Sequence, residues 1–188
     1  MYIPARHAEE RLEVLHALIE GHPLGALVRL DADGLAADHL PFELVPASSA
    51  APYGVLRAHV ARANPLWRHA ADAPVLVLFQ GPSGYVSPAT YDLHAIGGRM
   101  VPTWDYAVVH AHGRLRTIDD PEWLLAHMRR MTRREEDRQK DEQKRAHGHG
   151  WTVDDAPRDY IDRLVQATVG IEIVIERIEG KWKGSRSA

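Results

Sequence analysis

Apolar residues along this chain recur in two rhythms. Between Arg6 and His22, Leu12, Leu15, Leu18 and Ile19 stand three and four apart, with Glu9, Glu10, Arg11 and Glu13 off the stripe. That spacing predicts an amphipathic helix, ended by Gly21 and Pro23. From Leu24 onward the rhythm shortens to alternations and brief apolar runs, which predict strands over 24–30, 35–45, 54–60, 75–79, 107–118 and 171–178. Asp31-Ala32-Asp33-Gly34 reads as a hairpin turn between the first two. Pro41 places the second at an edge or a bulged end. Residues 46–52 read as a surface loop. Gly81-Pro82 re-aims the chain before a further short segment, Tyr85-Val86-Ser87. Helices are predicted from Asn64-Pro65 to the Ala73-Pro74 break, from Asp119-Asp120-Pro121 to about Met131, and over 157–168, stopped by Gly170. Residues 133–150 are nearly all charged or polar, so a mobile helix extension or loop is expected there.

Six or seven strands with hairpin-length links and three or four helices, without a run of βαβ units, indicate a mainly β, α+β architecture. A small closed or split β-barrel with peripheral helices fits that pattern best, as one domain over residues 1–188. Composition leaves this picture intact: 45% hydrophobic, 26% charged, net charge −3. No apolar run approaches the ~20 residues of a membrane span, and the first residues lack the layout of a signal peptide. With no cysteine, disulfides and thiolate chemistry are excluded, in keeping with a cytoplasmic location. Mild acidity argues against a dedicated nucleic-acid binder.

Four stretches carry candidate chemistry. Arg62 sits between a strand and the Asn64-Pro65 helix start, a place where a guanidinium and helix amides favour an anion such as phosphate; the alternative is a solvated surface arginine. His110 and His112 share one strand face, as a pair of metal ligands would. A third ligand at a convincing spacing is missing, Asp105 lying five and seven residues back, so no metal site is assigned. His147-Gly148-His149 falls in the charged segment. Arg129, Arg130, Arg133, Arg134, Arg138, Lys140, Lys144 and Arg145 offer a basic face for DNA, but Glu135, Glu136, Asp137, Asp141 and Glu142 interleave with them. That favours a salt-laced helix; DNA is a partner supported by neither charge nor motif. Lys181-Trp182-Lys183 either covers a barrel end or meets a planar anionic ligand. Glycine-rich phosphate loops, a Gly-x-Ser-x-Gly nucleophile and a His-Glu-x-x-His zinc motif are absent.

Several segments together resemble the PaiB-type, FMN-binding negative transcriptional regulators. They are Met1-Tyr2-Ile3-Pro4, Asp38-His39-Leu40-Pro41-Phe42, His59-Val60-Ala61-Arg62-Ala63-Asn64-Pro65, Phe79-Gln80-Gly81-Pro82 and Tyr85-Val86-Ser87-Pro88. Val101-Pro102-Thr103-Trp104, Tyr106-Ala107-Val108-Val109-His110-Ala111, Val169-Gly170-Ile171-Glu172-Ile173 and Gly180-Lys181-Trp182-Lys183 complete the set. They run in order through nearly the whole chain.

The resemblance implies a split-barrel flavin-binding fold, similar to pyridoxamine-phosphate oxidases and flavin reductases, assembled as a homodimer with FMN at the subunit interface. It implies that Arg62 grips the FMN phosphate while His59 and Asn64 shape the turn. The strand Asp38, His39, Leu40, Pro41, Phe42 would lie along the isoalloxazine ring. Tyr85, Ser87 and Trp104 would come from nearby walls or the second subunit, and Lys181, Trp182 and Lys183 would close the pocket. The sequence departs from the family where Asp105 stands for the usual Asn, where His112 replaces an aromatic, at Asp92-Leu93-His94, and at Gly184-Ser185-Arg186-Ser187 in place of Leu-Ser-Gln-Asn. Three activities stay open on this reading: a flavin-binding regulator, a flavin-dependent oxidoreductase, and a haem-binding barrel.

Overall fold

The computed structural model describes residues 1–69, 72–91, 97–142 and 150–184, without the side chains of 69 and 140–142. The chain opens on a two-residue strand, β1 (Ala8–Glu9), and helix α1 (Leu12–Gly21). This helix starts later than its apolar stripe suggests. Ala8 and Glu9 pair with Lys181 and Gly180 of the last strand, and the Glu9 carboxylate accepts from the Arg11 backbone N–H at 3.0 Å. Leu15, Leu18 and Ile19 are buried and plug one end of the barrel. Leu15 lies so close to Gly180 that a Cβ there would meet its Cδ2 at 2.2 Å.

β2 (Leu24–Asp31) and β3 (Gly34–Pro41) form the expected hairpin, with Gly34 at φ +114°. The return strand does not run through to Val45. It breaks at Phe42, whose N–H donates to the Pro23 carbonyl at 2.8 Å and whose buried ring meets Phe79 edge-on at 5.7 Å; β4 (Glu43–Val45) follows. Next come β5 (Val55–Ala61), the one-turn helix α2 (Leu66–His69) and β6 (Pro74–Val86). In β6 the Gly81-Pro82 break is a register shift between Gln80 and Ser83 within one strand.

β7 (Thr103–Ile118), α3 (Pro121–Glu142), α4 (Arg158–Gln166) and β8 (Thr168–Lys183) complete the chain. Two expectations are corrected here. α3 continues well past Met131, because its arginines reach the barrel: Arg130 bonds Glu43 at 2.7 Å, Arg134 donates to the Phe42 carbonyl at 3.0 Å, and Arg138 to the Glu20 carbonyl. β8 absorbs both Gly170, expected as a helix stop, and Lys181-Trp182-Lys183, expected beyond the strand. Gly170 is needed for packing, since a Cβ there would lie 2.5 Å from the Trp123 ring.

The strands pair antiparallel in the order β3-β2-β6-β7-β8-β5-β4, with β1 on β8. β3 and β4 are successive pieces of one bent segment, yet they end the order on opposite sides. The sheet therefore curls into a barrel left unpaired between β3 and β5, a split barrel. Side chains such as Leu27, Leu56, Val77, Phe79, Val109, Leu115 and Ile173 fill its interior. Leu124, Val153, Ile161 and Val165 make a smaller core between α3 and α4 on the outside of β8. Among the described residues no helix is long and apolar enough to cross a membrane.

Candidate functional site

The seam between β3 and β5 is bridged by polar side chains. Arg29, 7% exposed, pairs with Asp31 at 2.9 Å and with Asp38. Asp38 also accepts from Asn64 Nδ2 at 2.8 Å, and Asn64 Oδ1 accepts from the Leu66 N–H at 2.8 Å. Asn64 is thus a helix cap that ties the β5 exit to β3. Because α2 is one turn long and its first amide is taken, it offers no helix-end anion site.

Arg62 is held tightly by its own chain. Its guanidinium donates to both oxygens of Asp119, at 2.9 and 2.5 Å, and to the carbonyls of Gln166 at 2.8 Å and Thr168 at 3.1 Å. Of the five N–H donors of a guanidinium, this leaves about one for anything else. The ion pair draws the Asp119 pKa down and raises that of Arg62. Arg62 joins three elements that meet at this end of the barrel: the β5 exit, the α4–β8 link and the β7–α3 link.

His59 does not shape the turn. Alternation along β5 sends Leu56, Ala58 and Val60 inward and Arg57 and His59 outward, beneath α3. There His59 meets the His127 ring edge-on at 5.4 Å, and Trp123 stacks on His127 at 5.0 Å. His127 is fully buried and bonds Glu43 at 2.8 Å. Burial, with the nearby His127 charge, lowers the His59 pKa to about 4. For Glu43 burial acts upward, but bonds from His127 and Arg130 outweigh it and hold the carboxyl at about 2. His59 Nδ1 and His127 Nε2 are buried without a hydrogen-bond partner among the described residues. His59 and Pro41 line a cavity of about 440 Å³ whose other walls include Met128, Met131, Trp151 and Leu164. His39 is exposed on β3, whereas Leu40 is buried in the core.

Of the remaining resembling segments, Val169–Ile173 pairs with β5 beside the seam, and those carrying Tyr85, Trp104 and Lys181–Lys183 gather at the far end of β7. Tyr85 and Trp104 meet edge-on at 6.2 Å. Lys183 donates to Thr103 Oγ1 at 2.5 Å and to the Trp104 carbonyl. Lys181 lies 5.3 Å over the Tyr106 ring and donates to the Tyr2 carbonyl at 3.1 Å. A second cavity, of about 460 Å³, opens here between Pro82, Ser83, Asp105, Tyr106, Trp182 and Lys183. The departure at Asp105 therefore falls on a cavity wall. Ser87 is turned to its own chain, its Oγ accepting from the Ala89 N–H at 3.3 Å.

The sequence-named residues thus form two groups. Asp38, Pro41, His59, Arg62 and Asn64 stand around the seam, and Tyr85, Trp104, Lys181, Trp182 and Lys183 at the opposite end of β7 and β8. Asp119 and Arg29, which spacing did not single out, complete the seam group. Acids facing arginines are legible in sequence, but nothing local says which will pair. Midway along β7, His110 and His112 gain the third group that spacing lacked, Glu179, opposite His110 on β8. Asp92-Leu93-His94, Lys144, Arg145, His147-Gly148-His149 and Ser185-Arg186-Ser187 lie outside the described residues.

A flavin needs a flat apolar slot, polar groups at its rim and donors for a phosphate. Both cavities have apolar side chains together with polar ones in their walls, and His59, whose Nδ1 is buried without a partner among the described residues, stands at one of them. A family model described as "Putative FMN-binding domain" matches residues 1–177. An uncharacterized protein of Emericella nidulans is 33% identical over 213 residues, covering 99% of this chain and 84% of that protein. The protease synthase and sporulation protein PAI 2 of Bacillus subtilis is 30% identical over 123 residues, 65% of this chain and 56% of that one. Among solved structures, the flavocytochrome Anf3 of Azotobacter vinelandii superposes with a TM-score of 0.65 at 12% identity, over 95% of this chain and 70% of that one. The FAD and heme binding protein of Mycobacterium smegmatis gives 0.64 at 17% identity, over 96% and 74%. At such identities the two structures speak to the fold. The family model covers nearly the whole chain: this chain belongs to the family of the putative FMN-binding domain, in a split-barrel fold.

Proposed function

We propose that this protein is a homodimer that holds FMN where the seam of one copy meets the aromatic end of the other. The separation of the two groups along β7 carries this reading. Trp104, near the start of β7, and Asp119, just past its end, are 15 residues apart, which at about 3.3 Å per residue is on the order of 50 Å of chain, far longer than one FMN. A flavin that touches both groups therefore has to take them from two chains.

The outer face of the sheet offers a surface for such pairing. Ala26, Val28, Leu76, Leu78 and Val108 point outward on neighbouring strands and are half-buried in one chain. Leu24, Leu30 and Leu35 on the same face are exposed. The helices pack elsewhere, α1 in the barrel end and α3 and α4 against β8. A second copy is the occupant that would bring a Trp104 to a seam.

At the seam, Pro41 and His59 would border the ring, Asn64 would fix the turn, and Arg62 would hold the phosphate by exchanging Asp119 for it. Asp119 is more than half exposed, so that ion pair is one solvent already weakens. From the partner, Trp104 and Tyr106 would supply apolar wall and Lys183 positive charge. Bound FMN supplies hydride-transfer chemistry; the chain's residues bind it, orient it and shield one side from water. We favour flavin redox work over direct DNA binding, since Arg129, Arg130, Arg134 and Arg138 are spent on Asp154, Glu43, Glu135 and main-chain carbonyls.

Spectra and light scattering test the core of this reading. Purified protein incubated with FMN and desalted should retain near-stoichiometric flavin and run as a dimer. A monomer that retains flavin at full occupancy would remove the two-chain site. Oxidation of reduced nicotinamide in the presence of FMN separates the redox role from a purely regulatory one.

A further inference from the structure

On the outer face of β7 and β8, His110, His112 and Glu179 bring one ligand atom each within 4.8 Å of one another. We infer that they form a site for a divalent transition-metal ion of the zinc type. The backbone sets up this juxtaposition. His110 pairs in register with Glu179, so the two side chains stand opposite each other across the ladder. His112 lies two residues on and faces the same way. All three are half-buried, between strands whose pairing keeps their Cβ positions fixed. The ladder slips a register immediately beyond, between His112 and Gly113, and such bulges commonly re-aim side chains beside a site.

The distances suit an ion. His112 Nε2 and Glu179 Oε2 are 3.1 Å apart, and two ligands of one tetrahedral zinc with bonds of 2.0–2.2 Å stand about 3.3–3.6 Å apart, so the two groups would part by a few tenths of an ångström to admit it. The His110 ring lies 6.4 Å from that of His112 between centroids, with its ligand atom inside the same 4.8 Å group. Glu179 is already surrounded by positive charge: Arg177 sits on Oε1 at 2.7 Å and the Met1 amino group 3.5 Å from Oε2. An ion on Oε2 would leave the arginine in place and displace only the His112 bond and the long amino contact. Two imidazoles with one carboxylate select Zn²⁺, Co²⁺, Ni²⁺ or Fe²⁺ over Ca²⁺ and Mg²⁺, which favour all-oxygen sets. Three protein ligands also leave a coordination position open. The site lies midway between the two flavin ends and needs no flavin, but it stands on the outer face through which the two copies are proposed to meet, Leu78 pairing with His110 and Leu76 with His112.

The test is a Zn²⁺ titration of the full-length purified protein against a chromogenic chelator, paired with thermal melting. One equivalent per chain is expected, with melting raised by zinc and unmoved by Mg²⁺. His112→Phe, which keeps a ring against the sheet, and Glu179→Gln should each weaken zinc at least tenfold, while His147→Ala/His149→Ala should leave it within twofold. If the first two variants bind zinc like the parent, or if the His147/His149 variant alone loses it, the site is overturned. Circular dichroism of His112→Phe and Glu179→Gln matching the parent keeps a lost fold from imitating a lost ligand.

Discussion

The two ends of β7 carry equally distinctive residues but treat them in opposite ways. At the seam every charged group already has a partner within the chain: Arg29 with Asp31 and Asp38, Arg62 with Asp119, Glu43 with His127 and Arg130. At the other end, large rings are left in solvent, Tyr85 at 58% and Trp104 at 56% exposed, with two lysines lying over aromatic faces. A region whose charged groups are already paired is preorganised, although His59 Nδ1 and His127 Nε2 there stay without a partner among the described residues. One that leaves two aromatic rings in water has an unmet reason to associate. The contrast suggests a division of labour in which the seam is a preformed receptor and the aromatic end is the piece delivered to a neighbour.

Breaking the delivery should have the largest effect. Leu78→Asp puts a charge in the middle of the outer face, beside Ala26 and His110, without touching either cavity. The variant should be a folded monomer by light scattering and should lose retained FMN altogether. A Leu78→Asp dimer with normal flavin would mean that copies do not meet on this face.

Acid should act on the seam end and spare the aromatic end. His59 has a folded pKa of about 4 against an ordinary 6.5. Between those values the unfolded chain binds more protons, so folding stability falls as pH drops through that window. The shift sets an upper size of roughly 3 kcal/mol for the loss. Glu43 is the opposite kind of group, its stabilisation complete above 4.5 and lost only as pH falls toward about 2. Denaturant midpoints from pH 7 down to 4.5 should therefore decline in the parent and decline less in His59→Gln, the remaining fall coming from groups such as His110, whose pKa burial also lowers. An equal decline in both would acquit His59.

How far these contrasts were readable beforehand depended on sequence distance. Local features were legible: the Leu15–Leu18–Ile19 stripe, the Ala32-Asp33 hairpin and the Asn64 cap each rest on neighbours a few residues apart. The length of α3 was not, because Arg138 is anchored on the Glu20 carbonyl, 118 positions away, and a charged composition alone argues for a loose segment. Gly170 reads as a helix stop in sequence, whereas its place in the fold is set by the Trp123 ring packed against it. Pairing register hid the rest. Nothing near His110 announces Glu179, and nothing near Arg62 announces that Asp119 will occupy it.

That occupancy sharpens the comparison next. If Arg62 holds the FMN phosphate, Arg62→Ala should weaken FMN by roughly 10- to 100-fold, the order expected for a lost charge-assisted hydrogen bond. Riboflavin, without a phosphate, should be bound alike by variant and parent. Asp119→Asn frees the guanidinium and should tighten FMN several-fold. Should Arg62→Ala lower FMN and riboflavin equally, and Asp119→Asn leave FMN unmoved, Arg62 is a joint between β5, α4 and β7 and not a ligand.

The smallest effect would be the most telling about which chain supplies which half. Trp104→Ala removes a ring that is half in solvent, so it should cost the fold less than a buried tryptophan would: about 0.5–1.5 kcal/mol for its edge-on contact with Tyr85, in addition to the area the ring buries. On the two-chain reading it nevertheless weakens FMN, as Arg62→Ala does. Mixing the two variants under conditions that let subunits exchange should then recover binding that neither shows alone. Each mixed dimer has one site with an intact Arg62 and an intact Trp104, and one site lacking both. With random exchange under two-fold symmetry, about a quarter of all sites are restored. If both groups served a flavin within one chain, every site in the mixture would carry one defect or the other. Mixing would then return nothing, and the two ends of β7 would have to be explained separately.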